Sequence, residues 1–110
     1  MTEDQRIVAF MLECIGKIRR YTGGNRAVFF DDIKTQDATI HAMTLLVDIS
    51  KRLSAEAKET MPMVAWSDMT GFRNYLVHEY LGDLDLEIVW AAIETKLDGL
   101  ENALLQYGKA

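Results

Sequence analysis

A chain of 110 residues with 49% hydrophobic and 26% charged residues has the balance of one ordinary globular domain, not of a disordered or fibrous chain. Its net charge of −5 excludes the broadly basic surface of a nonspecific nucleic-acid binder, so any contact with a phosphate backbone must come from a local patch. The single cysteine, Cys14, excludes an internal disulfide, and no stretch approaches the roughly 20 apolar residues of a membrane span.

Met1 is followed by Thr2, Glu3, Asp4 and Gln5, without the basic start and apolar run of a secretory signal, so a cytoplasmic protein is expected. The first helix is predicted from about Asp4 to Tyr21. Ile7, Phe10, Met11, Cys14, Ile18 and Tyr21 fall on one face, and Gly23 and Gly24 end it. Cys14 on that stripe reads as a small buried hydrophobe. Val28-Phe29-Phe30 stands alone as an apolar run. A lone strand has nothing to pair with, so the run reads as a connector that plugs the core. A second helix is predicted from Thr35 or Asp37 to about Glu59, with Ala42, Leu45, Leu46, Ile49 and Leu53 inward, and it breaks at Thr60-Met61-Pro62. Ser67 or Asp68 is the expected cap of a third helix, with Met69, Phe72, Leu76 and Tyr80 along its apolar edge and Gly82 as its stop. Asp85 caps a fourth, in which Leu86, Val89, Trp90, Ile93, Leu97, Leu100 and Leu104 form the longest regular stripe. The expected fold is all-α: an up-down bundle of four to five helices, one domain over residues 1–110. A spare apolar face on the first or fourth helix would make a dimer contact.

The chain has two histidines. His41, within the second helix and without polar neighbours in sequence, reads as structural or surface. His78 lies in Arg73-Asn74-Tyr75-Leu76-Val77-His78-Glu79-Tyr80, a run that also holds an arginine, an asparagine and two tyrosines. At about 100° per residue Asn74 and His78 stack one turn apart, whereas Arg73 and His78 diverge by roughly 140°. Either the arginine wraps round, or a second subunit supplies a matching set across a two-fold cleft. RNA carries its own nucleophile, the ribose 2′-hydroxyl. Its cleavage needs a base and an acid, both within the reach of an imidazole, and a guanidinium suited to phosphate oxygens. No residues show zinc or di-iron ligand spacing, and no cofactor is called for. Read from the residues alone, a structural Arg–His pair fits this run as well.

Arg73, four residues, then His78 resembles the Arg-x(4–6)-His signature of HEPN ribonucleases. The string from Trp66 through Gly71-Phe72-Arg73-Asn74 to His78-Glu79-Tyr80 resembles the HepT branch of that superfamily. Thr35-Gln36-Asp37-Ala38, Lys51-Arg52-Leu53-Ser54, Pro62 and Asp85 through Trp90 extend the likeness over most of the chain. The resemblance implies a HEPN-like helical homodimer acting on RNA, with Arg73 and His78 as catalytic pair; Asn74, one turn before His78, is placed to support them by orienting the imidazole or donating to the phosphate. The resemblance also implies a small nucleotidyltransferase antitoxin as partner, which silences the toxin by attaching AMP to Tyr80, where bulk and negative charge would block RNA. The chain departs from the branch at Val47-Asp48-Ile49, where Gly-Glu-Ala is usual: the carboxylate is kept but shortened, and the glycine is lost.

Three readings stay open. In the first the chain is an endoribonuclease toxin, with Lys17, Arg19, Arg20 and Arg26 as an RNA-tracking patch or as a solvated helix end. In the second it is a non-catalytic partner of the nucleotidyltransferase, which the acidic net charge favours. In the third Arg73 and His78 only bridge subunits.

Overall fold

The computed structural model describes residues 1–79 and 82–109, the last of these by backbone alone. Helix α1 spans Glu3–Thr22 and is locked at its start by a reciprocal capping box. The Gln5 amide donates to Thr2 Oγ1 at 3.1 Å, and the Thr2 amide donates to Gln5 Oε1 at 2.8 Å. Gly23 ends it at φ 60°, the left-handed conformation a glycine adopts without cost. Its stripe of Ile7, Met11, Cys14, Ile15 and Ile18 is buried.

Val28-Phe29-Phe30 does plug the core, but as a helix. Helix α2 spans Arg26–Asp31, and Asn25 caps it by accepting from the amides of Ala27 and Val28. Phe29 is fully buried and stacks on Trp90 at 5.5 Å between ring centroids.

The long second helix expected from the sequence is two helices. Helix α3 spans Ile33–Ser50 and is capped by Asp32, which accepts from both the amide and the hydroxyl of Thr35. Helix α4 spans Ala55–Glu59 and starts at Ser54. The Ser54 hydroxyl accepts from the Ala57 amide at 3.1 Å and donates to Asp4 at 2.6 Å, while the Ser54 amide donates to the same carboxylate at 3.0 Å. Those bonds give the backbone an alternative to continuing the helix. Leu53 and Ala57 stay buried on either side of the break, so the apolar pattern runs through it without a sign.

Helix α5 spans Trp66–His78. Neither Ser67 nor Asp68 caps it: Ala65 holds the cap position and no side chain bonds there. The Trp66 indole N–H instead donates to the Met61 carbonyl at 3.3 Å, which ties the helix start to the preceding turn. The helix ends at His78, before Gly82, whose φ of 135° turns the chain toward α6. Helix α6 spans Leu86–Lys109; the Asp85 carboxylate accepts from the Glu87 amide at 2.9 Å, as the sequence predicts.

The fold is thus all-α and HEPN-like, with six helices among the described residues and no strand. Helices α1, α3 and α6 surround the core, α2 closes one end, and α5 lies against α3. No helix among the described residues is long and apolar enough to cross a membrane.

Candidate functional site

The candidate site lies where α5 crosses α3. Arg73 points toward α3, and its Nε donates to Asp48 Oδ1 at 3.2 Å. Its Nη1 donates to Asn74 Oδ1 at 3.4 Å. The Arg73 side chain is 32% exposed and that of Asp48 55%. An ion pair this open contributes at most about 1 kcal/mol to stability. Its consequence is geometric: one guanidinium edge is held, and the remaining N–H groups are left for an anion.

Asn74 therefore touches Arg73, and the arginine does not wrap toward the histidine. His78 closes α5, is exposed, and makes no side-chain hydrogen bond among the described residues. Arg73 bonds to Asp48 and Asn74, and among the described residues no hydrogen bond joins it to His78. Tyr80 lies outside the described residues.

Tyr75, the other tyrosine of the run, is a brace. Its hydroxyl accepts from the Asp85 amide at 2.8 Å, and its ring stacks on Phe72 at 6.3 Å. The hydrogen bond ties the last turns of α5 to the start of α6.

Asp48 was not singled out for chemistry from the sequence, although its signal was present. It is the shortened carboxylate of Val47-Asp48-Ile49, and its role in the structure is to hold Arg73. His41, exposed on α3 as expected, lies two turns from Asp48 on the same helix face and lines a groove with Leu76 and Val77.

Half of the basic patch is consumed. Arg19 pairs with Asp98 at 2.6 Å and with Glu101 at 3.0 Å, both on α6. Arg26 pairs with Glu87 and lies over the Phe30 ring at 4.3 Å. These acidic partners raise the pKa of both arginines, and Arg26 in turn holds the Glu87 carboxyl below the usual range. Two of the four cations therefore act as clamps between α1–α2 and α6. Burial pushes the Cys14 thiol up, which suits a packing role over a reactive one. Among the described residues no three His, Cys, Asp or Glu side chains are grouped to hold a metal ion.

The sequence profile of the family described as "Ribonuclease HepT-like" matches residues 11–107. A protein of Thermococcus cleftensis named "Probable ribonuclease HepT" is 29% identical over 93 residues, covering 81% of each chain. A relative from Caldanaerobacter subterraneus subsp. tengcongensis, whose name contains the word RNase, is 29% identical over 89 residues, or 81% of this chain and 79% of its own. Another so named, from Methanocaldococcus jannaschii, is 32% identical over 69 residues, or 63% of this chain and 56% of its own. No solved structure matches the chain at a significant level. With the family profile covering most of its length, the chain belongs to the HepT-like ribonuclease family.

Proposed function

We propose that this chain is a metal-independent endoribonuclease, the cytoplasmic toxin of a type VII toxin–antitoxin pair, acting as a homodimer through Arg73, His78 and, in support, Asn74. The observation that carries this reading is the Arg73 guanidinium, steadied by Asp48 and Asn74 on the helix that ends in an open His78. His78 takes the proton of the ribose 2′-hydroxyl, the 2′-oxygen attacks phosphorus, and the bond to the 5′-oxygen breaks. The His78 imidazolium returns that proton to the departing 5′-oxygen, leaving a cyclic 2′,3′-phosphate and a 5′-hydroxyl. Arg73 stabilises the charge that builds on the phosphate oxygens.

Because the two side chains diverge, a second subunit brings a complementary half-site. An open apolar groove of about 570 Å³ beside α5, between Met63, Met69, Phe72 and Ile88, supports such a contact, since Met63 is 69% and Ile88 46% exposed. In this reading a nucleotidyltransferase antitoxin silences the toxin by adenylylating Tyr80, two residues past His78.

His78→Ala is expected to lower the cleavage rate of a labelled RNA by about a hundredfold or more, to abolish toxicity, and to leave the helical circular dichroism unchanged. A folded His78→Ala protein that still cleaves and still kills contradicts the assignment.

The second reading, a non-catalytic partner of the nucleotidyltransferase, is favoured by one specific observation. Arg19 and Arg26 are tied to acidic residues, and the net charge of −5 leaves little to attract RNA. Purified, unmodified protein that leaves RNA intact over a range of salt and pH would establish it.

A further inference from the structure

Helix α3 carries a polar stripe at Asp37, His41, Thr44 and Asp48, spaced four, three and four residues apart, so all four lie on one face. Asp48 meets Arg73, while His41 faces the Leu76–Val77 end of α5. Lower numbers on α3 thus meet higher numbers on α5, and the stripe runs antiparallel to the stretch from Arg73 to His78. Beyond the Asp48–Arg73 contact an open groove of about 590 Å³ lies among the described residues of α3, the end of α5 and Leu84.

The groove has two unlike sides. Ile40, Leu76, Val77 and Leu84 make an apolar wall, and Val77 is 43% exposed there. Asp37, His41 and Thr44 make a polar edge. That edge is rich in acceptors. The Asp37 carboxylate offers only acceptors at neutral pH. The Thr44 hydroxyl donates its one proton to the Ile40 carbonyl at 2.8 Å, so its oxygen is left to accept. An apolar wall with a few convergent polar groups is the make-up of a site for a small flat ligand.

We infer that this groove is a nucleobase subsite, in which an unpaired base of the RNA lies against Val77, over the buried Leu76, and turns its donor edge to Asp37 and Thr44. The inference rests on the ribonuclease reading above, and it names how the substrate is chosen. Charge decides which part of the RNA enters. A phosphodiester is repelled by Asp37, whereas a neutral base is not. The acceptors decide which base: guanine presents N1–H and the N2 amino group side by side, a pair that one carboxylate accepts together. Adenine offers one amino group flanked by acceptors, and uracil one N–H between two carbonyls. His41 adds an imidazole face for stacking. Because Asp48, on the same stripe, holds Arg73, the bound base lies near the phosphate that Arg73 would bind, and the groove sets the cleavage context.

Two measurements on the full chain test this. In the first, oligouridylates carrying a single guanosine or a single adenosine are cleaved by the wild type and by Asp37→Asn. The wild type is expected to cut at a fixed offset from guanosine about tenfold faster than from adenosine, and Asp37→Asn to bring that ratio near one. An unchanged ratio in a folded Asp37→Asn protein, or no base preference in the wild type, overturns the inference. In the second, guanosine, which carries no phosphate, is titrated while the His41 ring and the Leu76 and Val77 methyl groups are followed by NMR. Guanosine is expected to shift these signals more strongly than uridine does, and equal or absent shifts overturn the subsite. Guanosine binding without any RNA cleavage would sink the ribonuclease reading and keep the subsite. Cleavage indifferent to base, with no guanosine shifts, would do the reverse.

Discussion

At the scale of single residues, the site turns on a contact that adds little stability and much orientation. Asp48 holds Arg73 through one N–H···O bond across an exposed surface. Asp48→Ala is expected to lower kcat by about ten- to a hundredfold with a smaller change in KM, because the guanidinium is then free to leave the phosphate. Asp48→Glu should restore part of the loss. A kcat unchanged in Asp48→Ala would show that Arg73 is placed by something else. Arg73, Asn74 and His78 were legible in the sequence from their spacing and their resemblance to a known signature. Asp48 was legible only as an oddity, since a carboxylate in the last turn of another helix says nothing of its partner until the helices are packed. The same is true of Arg19 and Arg26, whose acidic partners lie more than 60 residues away along the chain. A second local contact predicts an acid response. The Ser54 hydroxyl and amide both donate to Asp4 and hold its carboxyl below the usual range. A carboxyl lowered in the folded state stabilises above its ordinary pKa, and that contribution is lost as pH falls through the folded value. Asp4→Asn should therefore melt at lower urea than the wild type at pH 7, and the gap should close as pH falls below about 4. A gap that does not narrow at all as pH falls from about 4 to about 2 would contradict this.

At the scale of elements, hydrophobic periodicity located every long helix but not every break. The α3–α4 interruption is invisible to it because Leu53 and Ala57 continue the buried stripe, while the cause is a serine bonded to an aspartate on α1. The start of α5 was misplaced for a related reason: Ser67 and Asp68 have the chemistry of caps, but the Trp66 indole anchors the turn first. The short α2 was read as a connector because six residues are too few to show a period. Its energetic part is nevertheless large. Phe29 is fully buried against Trp90, so Phe29→Ala is expected to destabilise the fold by about 3–5 kcal/mol, measured as a drop in urea midpoint without a change in slope. A loss below about 1 kcal/mol would mean that α2 is peripheral to the core.

At the scale of the molecule, the central question is how an arginine and a histidine that diverge on one helix act together. In the proposed function a symmetric dimer answers it, with the apolar groove beside α5 as the surface a second copy would cover. Each site then takes Arg73 from one subunit and His78 from the other. The most direct test is cleavage of a labelled RNA by Arg73→Ala and His78→Ala proteins, assayed alone and after being unfolded and refolded together. The account predicts two inactive proteins whose mixture recovers about a quarter of wild-type activity, since half of the dimers are mixed and each mixed dimer holds one intact site of two. Either variant cleaving alone at the wild-type rate, or a mixture as inactive as its parts, would contradict it.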